Sequence, residues 1–174
     1  MKQTIKVKIL TEGCAPQITE DGDWIDLRAA EDVIIEPPYA VARTRKGGES
    51  SRKVIFTYQY VPLGVAMQLP AGMEAIIAPR SSSIKNYHFI QPNSPAVVDQ
   101  PYRGDSDQWH YPLLCVGPVN IKKGDRICQF RVQLSQKATL WQKLKWLLSS
   151  GIEIKIVDSL GNPDRGGLGH SGKQ

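Results

Sequence analysis

Short apolar stretches separated by Pro- and Gly-containing turns run through most of the chain. Residues 2–10 alternate between polar and apolar positions, which predicts a strand with one buried face. Further apolar segments of strand length follow at 33–35, 39–42, 54–58, 61–67, 74–78, 96–98, 126–132 and 152–157. Many short strands with regular turn signals predict an all-β fold of the jelly-roll or sandwich type.

One segment, at about 138–149, has the period of a helix instead. Its leucines recur at helical spacing and share one face, and the lysines and the glutamine lie away from that face. The apolar positions are Leu140, Trp141, Leu144, Leu147 and Leu148. We expect this face to dock on the β-domain, as the apolar faces of surface helices normally do. A membrane surface or a partner protein is the alternative occupant.

Composition divides the chain into a β-domain at 1–160 and a C-terminal arm at 161–174. The whole chain has 174 residues, which is enough for one domain with a substantial core. The arm contains five glycines and cannot form a core element. We therefore expect a flexible arm that becomes ordered on a ligand or a neighbouring chain.

The positive charge is local. Residues 39–60 predict a long hairpin, and its tip at 43–53 carries five basic side chains and one acidic one, against a net charge of +5 for the chain. A domain-wide nucleic-acid surface is therefore not supported, and no direct nucleic-acid binding is expected. No apolar run approaches the ~18 residues of a membrane span, and the N-terminus lacks the apolar region of a secretory signal. The cytoplasm is the expected location.

Cysteine and histidine spacing argues against a disulfide framework or a zinc site. Cys14, Cys115 and Cys128 are odd in number and far apart, and no Cys-x-x-Cys occurs. The three histidines do not fall at ligand spacing. Free cysteines suit a reducing compartment.

The stretch at 93–104 combines a buried strand with groups that can do chemistry. The apolar strand 96–98 ends in Asp99, and Pro101, Tyr102 and Arg103 follow at once. Valines cannot solvate a carboxylate, so Asp99 needs a partner or a substrate. By itself such an Asp is most often a turn former.

Three other loops change that interpretation because each combines an arginine with small polar residues. They are Arg80-Ser81-Ser82-Ser83, the segment 124–129 and the Gly-rich segment 164–172. Guanidinium groups, hydroxyls and exposed backbone N–H groups all bind phosphate oxygens. Together with a strand-end carboxylate that activates water, they suit the hydrolysis of a phosphate ester. Asp26 is the best candidate for a metal residue, acting through a metal-bound water.

These segments carry a family resemblance. In order, residues 26–30, 79–82, 93–104, 124–129 and 165–172 resemble the five motifs of the trimeric deoxyuridine triphosphatases (dUTPases), particularly the bacterial and prophage members. The five motifs span nearly the whole chain in the order of the family. The resemblance implies a jelly-roll homotrimer with three active sites at subunit interfaces, which splits dUTP into dUMP and pyrophosphate.

The resemblance also implies a role for each site residue. Asp99 matches the base that activates the water attacking the α-phosphate. Asn93 and the Val98 backbone match the groups that recognise uracil, and the Tyr102 ring matches the one that packs under the deoxyribose. Asp26 matches the residue that holds a water of a phosphate-bound Mg²⁺. The implied phosphate ligands are Arg80, Ser81, Ser82, Gln129, Arg165, Gly167, Gly169, His170 and Ser171. The last five lie in the arm, which in this family comes from another subunit.

One departure from the family concerns the lid over the uracil. The arm of the family usually carries a Phe that stacks on the base, and Leu168 stands there in this chain. A leucine provides no aromatic stacking. The hairpin 93–104 matches the uracil pocket of the family, and we call it the uracil hairpin. The candidates for the lid are therefore Leu168 itself and two rings just past this hairpin, Trp109 and His110.

Two alternative functions remain open at this point. A dCTP deaminase shares the fold and would use a carboxylic acid to activate water against the base. A phage or prophage regulator would bind a repressor protein through the two insertions, the basic tip 43–53 and the helix 138–149. The second alternative is compatible with catalysis.

Overall fold

The computed structural model describes residues 2–20, 22–44 and 50–166. These residues form fourteen strands and two short helices. The strands are β1 (Gln3–Ile9), β2 (Gln17–Ile18), β3 (Ile25–Arg28), β4 (Val33–Ile35), β5 (Tyr39–Thr44), β6 (Ser50–Ile55), β7 (Tyr58–Gln68), β8 (Met73–Pro79), β9 (Phe89–Ile90), β10 (Ala96–Val98), β11 (Gln108–Cys115), β12 (Val119–Ile121), β13 (Arg126–Leu134) and β14 (Ile152–Ile156). The helices are α1 (Ser83–Tyr87) and α2 (Leu140–Leu147). Neither helix is long and apolar enough to cross a membrane.

Two five-stranded sheets carry the core. One has the order β14-β1-β7-β11-β9 and the other the order β10-β8-β13-β3-β2, and two small antiparallel pairs, β12-β4 and β5-β6, complete the fold. Apolar side chains from both large sheets form a single buried cluster. In β1, for example, Ile5 and Val7 are buried and Lys6 between them is exposed, as the period of two requires. The all-β prediction is confirmed.

The predicted basic hairpin is present as β5 and β6. The two strands pair antiparallel, from Tyr39 opposite Ile55 to Thr44 opposite Ser50. Residues 45–49 of the predicted tip lie outside the described residues.

The second helix forms as predicted, but its leucine face does not dock. A capping box fixes its start, because the Thr139 hydroxyl accepts from the Gln142 N–H and the Gln142 side chain accepts from the Thr139 N–H. Leu140 and Leu147, however, are 71% and 77% exposed. Only Trp146, on the opposite side, packs against the core. The docking prediction is therefore wrong: periodicity identifies an apolar face but does not determine what covers it.

The first helix was not predicted. It begins directly after the loop at residues 80–82, and His88 ends it in the left-handed conformation with a φ of 54°. Its first residue, Ser83, is buried and ties the loop to β13: the Ser83 hydroxyl accepts from the Arg80 N–H (3.1 Å) and donates to the Ile127 carbonyl (3.0 Å). This contact fixes the loop that follows β8.

Candidate active site

Two arginines and a buried carboxylate form a cluster at one end of the second sheet. Asp26 on β3 is only 5% exposed. Its Oδ1 accepts from Arg80 Nε and its Oδ2 from Arg126 Nη1, each at 3.0 Å. A buried carboxylate requires such partners, and charge-assisted bonds to guanidinium groups are the strong kind. We call these three residues the arginine cluster.

The arginine cluster is open to an anion. The side chains of Arg80 and Arg126 are 28% and 38% exposed, so part of each guanidinium group faces solvent. Ser81 is exposed and Ser82 half-buried in the adjoining loop. Gln129 lies opposite Asp26 on the neighbouring strand, and its Nε2 donates to the Pro79 carbonyl at 3.2 Å. The cluster therefore offers cations and hydroxyls on one surface, a donor set suited to phosphate.

A second group of candidate residues lies on the hairpin that contains β10. Asp99 directly follows this strand, and its side chain is 58% exposed. Its Oδ2 lies 3.7 Å from Arg165 Nη1 of the same chain. Asn93 is exposed, and its carbonyl accepts from Gln91 Nε2 at 3.1 Å, which holds the start of the hairpin. Asp99 is thus accessible to water and adjacent to a guanidinium group.

Tyr102 has a fixed ring at the base of the same hairpin. Its hydroxyl donates to the Gln108 carbonyl at 2.7 Å, and the ring packs partly against the core. Burial, and next the nearby carboxylates of Asp107 and Asp164, raise the pKa of Tyr102. The neutral phenol therefore keeps its hydrogen bond, and what the residue presents to a ligand is a ring.

Within one chain, the hairpin and the arginine cluster lie at opposite ends of β8. Val98 pairs with Ala75 near the start of β8, whereas Arg80 follows the last residue of that strand. Asp99 continues past Val98 toward residue 74, so about six residues of extended strand, or ~20 Å, separate it from Arg80. The residues predicted to share one site are therefore not brought together within a single chain.

One of the proposed lid rings is in the core. Trp109 is 1% exposed, and its ring packs edge-to-face on Phe130 with centroids 5.2 Å apart. The assignment of Trp109 as a lid is therefore wrong. The reason is the alternation of β11, which turns Trp109, Tyr111, Leu113 and Cys115 inward.

The other lid candidates remain predictions. His110 is half-buried, and its Nδ1 lies 2.9 Å from the Gln108 carbonyl that also binds Tyr102. Leu168 lies outside the described residues, as do the predicted phosphate ligands Gly167, Gly169, His170 and Ser171.

Two residues at these sites were not among the predicted site residues. Arg126 lies inside the segment 124–129, one of the three arginine-containing loops that suit phosphate binding, as does the loop of Arg80 and Ser81. The sequence therefore contains a signal for Arg126. Asp107 is 2% exposed and accepts hydrogen bonds from the N–H groups of Gly104, Arg165 and Gly166. Nothing in the sequence indicates this, because two of those donors lie 58 and 59 residues away.

The described part of the chain contains no group of three or more His, Cys, Asp or Glu residues that could hold a metal ion. Cys14, Cys115 and Cys128 are all buried and free. Burial, and next the charge of Asp26, raise the pKa of the Cys128 thiol well above its usual range. Metal binding through a dedicated protein cage is therefore not a feature of the described residues.

Comparisons with known proteins agree on one family. The dUTPase family model matches residues 50–146. The chain is 43% identical over 170 residues to the SPbeta prophage-derived deoxyuridine 5'-triphosphate nucleotidohydrolase YosS of Bacillus subtilis (strain 168), covering 97% of each protein. Among solved structures, it resembles the dUTPase from Streptococcus mutans with a TM-score of 0.60 at 18% identity, covering 77% of this chain and 98% of that one. It also resembles a mutant dUTPase from phage phi11 of S. aureus, with a TM-score of 0.58 at 15% identity and coverages of 78% and 94%. The phi11 structure is described as revealing the coordination of a structural Mg(II) ion.

Proposed function

The chain belongs to the dUTPase family, and we propose that it hydrolyses dUTP to dUMP and pyrophosphate in active sites that neighbouring copies of the chain build together. The observation that carries this proposal is the division of the site residues into two groups at opposite ends of β8. A general base must come within about 3 Å of the proton that it removes. Asp99 cannot do so for a phosphate held by Arg80 of its own chain, about 20 Å away by strand geometry.

A closed, symmetric assembly of identical chains would bring Asp99 of one chain close to Arg80 of another. In a homotrimer, the hairpin of one chain meets the arginine cluster of the next, and the arrangement repeats to give three equivalent sites. This is the assembly that the family resemblance implies. It requires no change in the fold of each chain.

The hairpin supplies recognition of the nucleoside. Asn93 and the Val98 backbone bind the polar edge of uracil. The Tyr102 ring packs under the deoxyribose, and its position is supported by the hydrogen bond from its hydroxyl to Gln108. Because that hydroxyl is already engaged, Tyr102 excludes a 2′-hydroxyl by shape.

The arginine cluster supplies the phosphate site. Asp26 orients Arg80 and Arg126, and the exposed parts of both guanidinium groups bind phosphate oxygens together with Ser81, Ser82 and Gln129. Arg165 and the arm residues beyond it, Gly167, Gly169, His170 and Ser171, close over the triphosphate. Fixed cations of this kind stabilise the negative charge that develops during phosphoryl transfer.

Asp99 acts as the general base. Its carboxylate takes a proton from a water as the water oxygen attacks the α-phosphorus in line. The bond between the α-phosphorus and the bridging oxygen to the β-phosphate breaks, and pyrophosphate leaves with that electron pair. The 58% exposure of the Asp99 side chain supports this role, because the carboxylate is accessible to the attacking water.

Mg²⁺ is compatible with this donor set. Mg²⁺ typically binds substrate phosphates and only one or two protein carboxylates, and it keeps several waters. Asp26 fits such a role because each of its oxygens accepts one bond from an arginine and retains a further acceptor position. Asp26 would hold a water of the ion, and the ion would neutralise phosphate charge.

The test is pyrophosphate release from dUTP measured in parallel with dTTP, dCTP and UTP. We expect turnover of dUTP alone. Ammonia release from dCTP would contradict the proposal and favour the deaminase reaction. Equal turnover of dTTP or UTP would contradict the roles given to the uracil hairpin and to Tyr102.

A second function, binding of a partner protein such as a repressor, is favoured by one observation. The helix α2 exposes Leu140, Trp141 and Leu147, and buried aromatic and aliphatic anchors are typical of protein interfaces. Replacing Trp141 and Leu147 by Ser should abolish capture of such a partner while the trimer mass and dUTP turnover persist. Loss of the trimer instead would assign this face to contacts between copies. The cytoplasm is the proposed location for both functions.

A further inference from the structure

A buried polar side chain lies at the point where the chain crosses from the first large sheet to the second. Gln91 directly follows β9, an edge strand of the first sheet. The uracil hairpin, which contains the edge strand β10 of the second sheet, begins two residues later. Gln91 is only 8% exposed. Because glutamines are mostly exposed in proteins, a buried one calls for a specific role.

The amide nitrogen of Gln91 joins the uracil hairpin to the strand β8. Its Nε2 donates to the Ile77 carbonyl at 3.2 Å and to the Asn93 carbonyl at 3.1 Å. Ile77 lies on β8, opposite Ala96 of β10. A side-chain amide has two N–H donors, so these two bonds use both of them. They hold the Asn93 backbone at a fixed position relative to β8.

The amide oxygen of Gln91 has no comparable contact. Oε1 is buried and has no hydrogen-bond partner among the described residues. Both groups that the nitrogen meets are carbonyl oxygens, so the amide cannot be turned over without losing both bonds. An unpaired buried acceptor is costly, and an apolar side chain would fill the same space without it. What Gln91 adds is therefore its pair of bonds to Ile77 and Asn93.

We propose that Gln91 is a positioning residue for base recognition in dUTP hydrolysis: its amide nitrogen holds Asn93, and Asn93 binds the polar edge of uracil. Asn93 is exposed, so a ligand can reach it while its backbone is held from the buried side. Gln91, Asn93 and Val98 belong to one chain, and the inference needs no residue from a neighbouring copy. It rests on the proposed function.

Binding of the two products separates the base end of the site from its phosphate end, because dUMP carries the base and pyrophosphate does not. Gln91→Met keeps the length of the side chain but removes both donors. We expect the Kd for dUMP, measured by isothermal titration calorimetry, to rise about 3- to 10-fold, the equivalent of one neutral hydrogen bond. The Kd for pyrophosphate should stay unchanged. With dUTP, KM should rise by a similar factor at constant kcat, as for an interaction that is equal in the ground state and the transition state.

Gln3→Met is the matched control. Gln3 on β1 is also 8% exposed, and its Nε2 donates to a backbone carbonyl, that of Lys145, at 3.2 Å. This variant loses the same kind of buried bond and should keep the wild-type Kd for dUMP. Gln91→Asn is a second variant, whose amide is one methylene too short to reach both carbonyls, and it should weaken dUMP binding in the same direction.

A double-mutant cycle with Asn93→Ala tests whether Gln91 acts through Asn93. If it does, Gln91→Met should add little to the effect of Asn93→Ala on the Kd for dUMP. Additive effects would overturn the proposal. A wild-type Kd for dUMP in both Gln91 variants, or an equal loss of pyrophosphate binding, would overturn it as well.

Hydrogen–deuterium exchange provides a measurement that does not depend on dUMP. Exchange in the peptide spanning 91–98 should rise in Gln91→Met and stay at the wild-type level in Gln3→Met. Unchanged exchange in Gln91→Met would overturn the contact on which the proposal depends. A wild-type protein that does not turn over dUTP would instead refute the proposed function, and the exchange pattern would still decide whether Gln91 holds Asn93.

Discussion

The proposed division of the site between two chains makes a complementation experiment possible. One variant, Asp99→Asn, removes the base and leaves the arginine cluster intact. The other, Arg80→Ala, removes a phosphate ligand and leaves the hairpin intact. Arg80→Ala should still fold, because the Asp26 carboxylate keeps its 3.0 Å bond from Arg126.

The expected magnitudes follow from the geometry. Loss of a positioned base should reduce turnover roughly 10²–10⁴-fold. Loss of a charge-stabilising donor should reduce it roughly 10²–10³-fold. In the proposed closed ring of three, each site combines the arginine cluster of one chain with the hairpin of the next. Any trimer that contains both variants therefore has one site with intact Arg80 and intact Asp99, so mixed trimers should recover about one third of wild-type activity.

The assay uses co-expression with two affinity tags. Successive purification on both tags selects mixed trimers, and pyrophosphate release from dUTP is then compared with that of each parent. Co-expression of Arg80→Ala with the double variant Arg80→Ala/Asp99→Asn is the control, because it mixes subunits without supplying any Arg80. If mixed trimers are no more active than the better parent, Arg80 and Asp99 act within one chain, and the reasoning from the register of β8 and β10 is refuted.

Three further predictions concern the metal, the core and an ion pair. Chelation of Mg²⁺ should slow dUTP turnover, and addition of Mg²⁺ should restore it; an unchanged rate in chelator would remove the role given to Asp26. Trp109→Ala should lower the free energy of unfolding by about 3–5 kcal/mol, as for other buried aromatic residues, whereas a lid residue would change KM for dUTP and leave urea unfolding unaffected. The Lys123 N–H and Lys122 lower the pKa of Asp32 from its usual 3.8, so its stabilising contribution is present above that value and is lost as the pH falls through the lowered pKa. Asp32→Asn should therefore lower the melting temperature at pH 7, with a difference from wild type that shrinks as the pH falls below 3.8, and a constant difference would contradict this assignment.

The elements were largely predictable because their signals are local. Alternation along β1 and the Pro and Gly residues between strands are properties of neighbouring residues, and both large sheets consist mostly of segments identified in this way. The helix α2 shows what local signals leave undetermined. Its start is determined by Thr139 and Gln142, but the exposure of Leu147 depends on which surface lies beside the helix.

Trp109 shows a second limit of local information. Its position just past the uracil hairpin made it a candidate lid, since proximity in sequence was the available guide. The pleat of β11 instead points Trp109 into the core, because side chains on a strand alternate sides and a shift of one residue reverses the side to which a side chain points. Trp109 is therefore buried on Phe130, and His110 faces the other way.

The sequence by itself determined the class of fold, the order of the five motifs and the identity of most groups that can bind a phosphate or activate water. These depend on residue types and on short spacings. Tertiary structure alone decided that Asp26 holds Arg80 and Arg126 together, that Asp107 binds the base of the arm, and that Asp99 lies at the far end of β8 from Arg80. Each of these depends on pairing between segments that are distant in the sequence. Such pairing depends on how both sheets bury their apolar faces against each other, and a local pattern of residues does not encode it.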